Sequence, residues 1–177
     1  MCTGWLATGC CANNVCECDD ARQDAIVLRF SADTLRAAGQ GFRAMDLDTV
    51  VVLRYPLPAV ANSKFETVTL YRRNTLATDS TFVLNNNTPF AQVGSTKLHH
   101  YRYVVRYLAH PRGGNGMPIK RGVPTTVLTI DKVLLKGSFD GNGCCTCYTN
   151  TQKALYRDST NTLVSLEGNN QVLISKP

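Results

Sequence analysis

Two clusters of thiols carry most of the chemistry this chain could do. Cys11, Cys16 and Cys18 lie near the start and Cys144, Cys145 and Cys147 near the end, with no cysteine between them. Cys2 and Cys10 complete the set of eight. Clustered thiolates can hold a metal, and apposed ones can form disulfides. The spacing fits a metal poorly. Structural zinc takes four ligands, commonly in pairs with two intervening residues, whereas Cys-x4-Cys-x-Cys and Cys-Cys-x-Cys offer six. Disulfides need only that the two segments lie side by side. Residues two apart on an extended chain share a side, so Cys16 and Cys18 can face Cys145 and Cys147. The expected arrangement is therefore a set of bridges crossing between the clusters, with metal ligation and reduced structural thiols as alternatives. One bridge closing a loop of roughly 130 residues contributes about 4 to 5 kcal/mol through the unfolded state, comparable with the net stability of a whole domain.

Such bridges persist in oxidising compartments. Residues 1–10 read Met-Cys-Thr-Gly-Trp-Leu-Ala-Thr-Gly-Cys, and the Ala-Thr-Gly-Cys ending resembles that of a bacterial lipoprotein signal. The basic start and the apolar run of about 7 to 15 residues are missing. We read 1–10 as a truncated or degenerate signal-like segment with Cys10 as a candidate lipid anchor. Residues 11–24 then form a Cys-rich arm, and 25–177 a single β-rich domain that includes the second cluster at 144–147. No stretch approaches the ~20 apolar residues of a spanning helix.

The formal charge of +6 is unevenly placed. Glu17, Asp19, Asp20 and Asp24 crowd beside the first thiol cluster, leaving 18 basic against 9 acidic side chains over 25–177. A basic body favours anionic partners. An anionic polysaccharide, a membrane surface or another envelope protein is expected, with a homo-oligomer as a further option and nucleic acid disfavoured.

The elements that must position the thiols alternate with a period of two. Strands are predicted over 25–31, 49–55, 65–72, 81–84, 99–108, 125–135, 153–157, 162–166 and 172–175, all rich in Val, Ile, Thr, Leu and Tyr. Turn-forming runs separate them, including Asn85-Asn86-Asn87, Gly141-Asn142-Gly143 and Gly168-Asn169-Asn170. The last two strands are expected to pair as a hairpin. Short helical turns are predicted over 32–38 and 43–46. Short strands without regular intervening helices favour an all-β antiparallel sandwich of about nine strands, with a barrel as the alternative.

Within the strand over 99–108 the two faces differ. His99, Tyr101, Tyr103, Val105 and Tyr107 fall on one side, and His100, Arg102, Val104, Arg106 and Leu108 on the other. An exposed row of Tyr101, Tyr103 and Tyr107 would suit sugar rings, peptides or bases. A solvated arginine side over a tyrosine core is the competing arrangement. The loop that follows, 109–124, carries His110, Arg112, Lys120 and Arg121 without an acidic residue, a set that could hold phosphate, sulfate or carboxylate. His99 and His100 point opposite ways on a strand, so no two-histidine metal site is predicted. No catalytic motif is present among the familiar hydrolase, zincin and dinucleotide signatures, and no cofactor or metal is called for.

The run Cys11-Ala-Asn-Asn-Val-Cys16-Glu-Cys18-Asp19-Asp20, the segment Asp46-Leu-Asp-Thr-Val-Val-Val-Leu-Arg-Tyr55 and the run Cys145-Thr-Cys147-Tyr-Thr-Asn-Thr-Gln-Lys153 together resemble uncharacterised bacterial surface lipoproteins. The resemblance implies an envelope or extracellular location and a β-rich fold, and implies no reaction. The expected function is an exported, disulfide-stapled binding or structural protein of the bacterial cell envelope. A self-assembling subunit of filament or adhesin type, or a cationic nucleic-acid or polysaccharide binding module, are the alternatives.

Overall fold

The computed structural model describes residues 18, 20–31, 41–60, 63–72, 80–109, 122–142, 145–158, 162–168 and 171–177. Among these residues the chain runs through nine strands: β1 (Ile26–Phe30), β2 (Thr49–Pro56), β3 (Glu66–Tyr71), β4 (Thr81–Leu84), β5 (Tyr101–Ala109), β6 (Val123–Asn142), β7 (Cys145–Arg157), β8 (Thr162–Ser165) and β9 (Gln171–Ile174). A single helical turn, α1 (Asp20–Gln23), precedes β1, and 3-10 turns lie at Ala44–Asp46 and Leu98–His100. The predicted turn over 43–46 coincides with the first of these, and the one over 32–38 lies outside the described residues.

The strands form two sheets, three-stranded in the order β4-β1-β9 and six-stranded in the order β3-β2-β5-β6-β7-β8. Neither closes into a barrel, and the expected all-β, two-sheet architecture holds. Alternation builds the core. Ile26, Leu28 and Phe30 of β1 point inward with Leu84, Val172 and Ile174, against Val50, Val52, Val105, Leu128, Ile130 and Leu155 of the larger sheet. Phe30 sits edge-on to Phe42, and Phe42 edge-on to Tyr107, with ring centroids 5.1 Å apart in each pair.

Two expectations need correction. The last two strands do not pair as a hairpin: β8 adds antiparallel to β7 in the large sheet, whereas β9 joins the small sheet parallel to β1. Leu166, buried between them, anchors the crossing with a backbone hydrogen bond from its N–H to the Lys153 carbonyl. Nor do the strands predicted over 125–135 and 153–157 stop at those bounds. β6 and β7 continue as an antiparallel ribbon to the pair Asn142 and Cys145. Gly137 lets it do so, because a Cβ there would collide with the Thr149 carbonyl and lie 2.7 Å from Tyr148 Cζ. The Tyr148 ring lies across the bare glycine, a cross-strand cover that a larger residue would displace. The ladder shifts register at this point, between Lys136 and Gly137, and the outer part of the ribbon leaves the sandwich from there.

Candidate functional site

The outer ribbon, 137–142 with 145–151, is where the two ends of the chain meet. Strand alternation puts Cys145 and Cys147 on one face and the cross-strand pair Phe139 and Tyr148 on the other. Cys147 is bridged to Cys18, 129 residues away, with Cα atoms 5.2 Å apart. The expected linkage of the two clusters is thus present for this pair. Cys145 is also disulfide-bonded. Cys10, Cys11, Cys16 and Cys144 lie outside the described residues.

From Cys18 the arm runs along β7 into β1, and polar side chains hold it there. Asn150 Nδ2 donates to the Gln23 carbonyl at 2.8 Å and to Asp24 Oδ1 at 2.9 Å. Asn86 Nδ2 donates to Asp24 Oδ2 at 2.8 Å. Lys153 Nζ donates to the Gln23 carbonyl at 2.8 Å and to the Ala25 carbonyl. Asp24 and Lys153 are both buried, which polar groups tolerate only when hydrogen-bonded. Burial pushes the Lys153 ammonium down to about 8, the nearby Asp24 charge opposing the shift without overcoming it.

Residues 22–24 of the arm contribute to the walls of two open grooves. One, of about 460 Å³, is lined by Arg22, Gln23, Asn150, Lys153, Leu166 and Glu167. The other, of about 350 Å³, is lined by Asp24, Asn86, Asn87, Gln92, Lys97, Phe139 and Tyr148. In the second groove Phe139 is 67% exposed, edge-on to Tyr148 at 5.2 Å between centroids. Lys97 Nζ stands 4.6 Å from the centroid of the Tyr148 ring, within cation–π range. Asn86 is engaged at both ends, its Oδ1 accepting from the Leu98 N–H at 2.8 Å. Compared with known proteins, the chain matches no family model, no curated protein and no solved structure.

The tyrosines singled out from the sequence are elsewhere. Tyr101, Tyr103 and Tyr107 are 6%, 2% and 3% exposed, so they form core and present no face to a ligand. Tyr103 Oη donates to the Leu98 carbonyl at 3.2 Å, and burial raises its hydroxyl well above the usual phenol range. Arg54 lies between Phe90 and Tyr101, 4.6 and 4.3 Å from their ring centroids, and pairs with Glu66 at 2.7 Å. His110, Arg112, Lys120 and Arg121 lie outside the described residues. His99 and His100 do not point apart on a strand. They occupy a 3-10 turn with ring centroids 4.0 Å apart. Among the described residues no cluster of three or more His, Cys, Asp or Glu is positioned to hold a metal ion.

Sequence reasoning missed Phe139 and Lys97 because each lies between predicted strands, and Tyr148 because the thiols beside it drew the reading to disulfides. The signal was available in part: a phenylalanine flanked by Gly137, Ser138, Asp140 and Gly141 is an aromatic with no apolar neighbours in sequence to share a core.

Proposed function

We propose that this chain is an exported protein of the bacterial cell envelope, held by disulfides and working by binding. The observation that carries the reading is the bridge from Cys18 to Cys147, since a disulfide closing most of a chain is characteristic of oxidising compartments. Its position also supports a binding role. The arm it pins supplies Asp24 to one groove and Arg22 and Gln23 to the other, so the bridge holds the walls of both in place. Cys10, eight residues before Cys18, is the lipid anchor in this reading, and the basic body suits an acidic partner at the cell surface.

Fractionation of the native host tests it. The protein is expected in the envelope or extracellular fraction, with a mass consistent with acylation at Cys10. Recovery in the cytosol with free thiols would overturn the reading.

A further inference from the structure

We propose that the groove between the outer ribbon and the loop over 85–97 binds a pyranose bearing a carboxylate, as a unit of an acidic polysaccharide. The proposal rests on the binding role above and gives it a ligand class. Three features meet in the groove. The first is an exposed aromatic ring. Phe139 is two-thirds exposed and packs edge-on against Tyr148, which lies over Gly137 and has the Lys97 ammonium 4.6 Å from its ring centroid. An aromatic ring buttressed by a neighbouring side chain loses less freedom when a ligand settles on it, and the C–H face of a pyranose is an apolar plane that can lie against Phe139.

The second feature is the rim. Asn87 and Gln92 are exposed planar amides at the edge of the groove, and each amide both donates and accepts, as sugar hydroxyls do. Gln92 is oriented by a hydrogen bond from its Nε2 to the Gly94 carbonyl at 2.9 Å. The third is charge. Two lining residues are ionisable with opposite signs, Asp24 and Lys97. Both Asp24 oxygens are engaged by Asn86 and Asn150 and the residue is buried. Lys97 is half-buried and lines the groove, its ammonium 4.6 Å from the Tyr148 ring centroid. The charge offered to a ligand is therefore positive, which selects a carboxylate over a neutral hexose.

The test is calorimetric titration of the oxidised full-length protein with trisaccharides of galacturonic, mannuronic or glucuronic acid, each against its neutral hexose counterpart. At least one acidic sugar should bind at least about tenfold more tightly than its neutral partner, and salt should narrow the gap. Phe139→Ala, and Phe139→Leu as the milder change, should weaken binding at least about tenfold with an unaltered melting temperature. Lys97→Met should retain binding and erase the preference for the acid. Equal binding of acidic and neutral sugars would overturn the charge assignment. Absence of binding to every sugar, on protein whose Cys18 to Cys147 bridge is verified by mass, would overturn the site and leave the envelope assignment to be judged by fractionation.

Discussion

Lys153 brings a charged amine to the inner face of the sandwich, where the carbonyls of Gln23 and Ala25 receive it. Its folded pKa of about 8 lies below the ordinary value of 10.5, so the unfolded chain binds more protons between those two values. The cost of keeping the amine charged is full below pH 8 and is relieved as pH rises toward 10.5. Denaturation curves should show the native protein gaining stability over that window, by up to about 3 kcal/mol, relative to Lys153→Met. An identical pH dependence in the two proteins would contradict the assignment. Asp46 behaves in the opposite sense. Burial pushes its carboxyl up, but hydrogen bonds from Arg43 and Lys176 outweigh this and hold it at about 2, below its ordinary 3.8. Lys176 Nζ lies 2.9 Å away, so this carboxylate ties the end of the chain to the turn before β2. Its contribution is present above pH 4 and lost as pH falls through 2. Urea titrations should show Asp46→Asn lacking that acid-labile part, of order 2 kcal/mol. At this scale the sequence was partly legible. The alternation on β5 put Tyr101, Tyr103 and Tyr107 on one face correctly, but which face meets the other sheet depends on a partner strand that alternation does not specify.

At the scale of elements, each strand has a counterpart in the predicted set because β-branched and aromatic runs alternate cleanly in all of them. The exceptions share one cause. Gly141 and Asn142 read as turn formers, and a glycine in a strand, as at Gly137, is ordinarily a weak point. Here Gly137 is required by the neighbour across the ladder, since Tyr148 occupies the space a side chain would need. Gly137→Ala should therefore destabilise the outer ribbon by about 1 to 3 kcal/mol and change the near-ultraviolet circular dichroism of Tyr148 while leaving the sandwich intact. An unchanged aromatic spectrum and melting temperature would remove the close approach. The pairing of β8 and β9 was illegible for a different reason. Two four-residue strands separated by a Gly-Asn-Asn sequence satisfy a hairpin locally, whereas the burial of Leu166 between them and of Val172 and Ile174 in the second favours pairing with β1 in the other sheet.

For the molecule as a whole, the small sheet and the outer ribbon both join segments far apart in the chain, β1 to β9 and Cys18 to Cys147. The arm is fixed at three levels: the bridge at Cys18, the amide and carboxylate contacts at Asp24, and the parallel pairing of β1 with β9. The clustering of cysteines made this closure readable from sequence, because thiols at opposite ends have an obvious use only if the ends meet. The grooves beside it were not readable, since Asn86, Lys97, Phe139 and Tyr148 come from separate segments that only the folded ribbon assembles. The central claim is the bridge itself, and its most direct measurement is a peptide map of protein from the native host, alkylated and digested without reductant. The account predicts a peptide containing Cys18 linked to one containing Cys147, separating into two on reduction. Recovery of both cysteines as alkylated free thiols before reduction would contradict it.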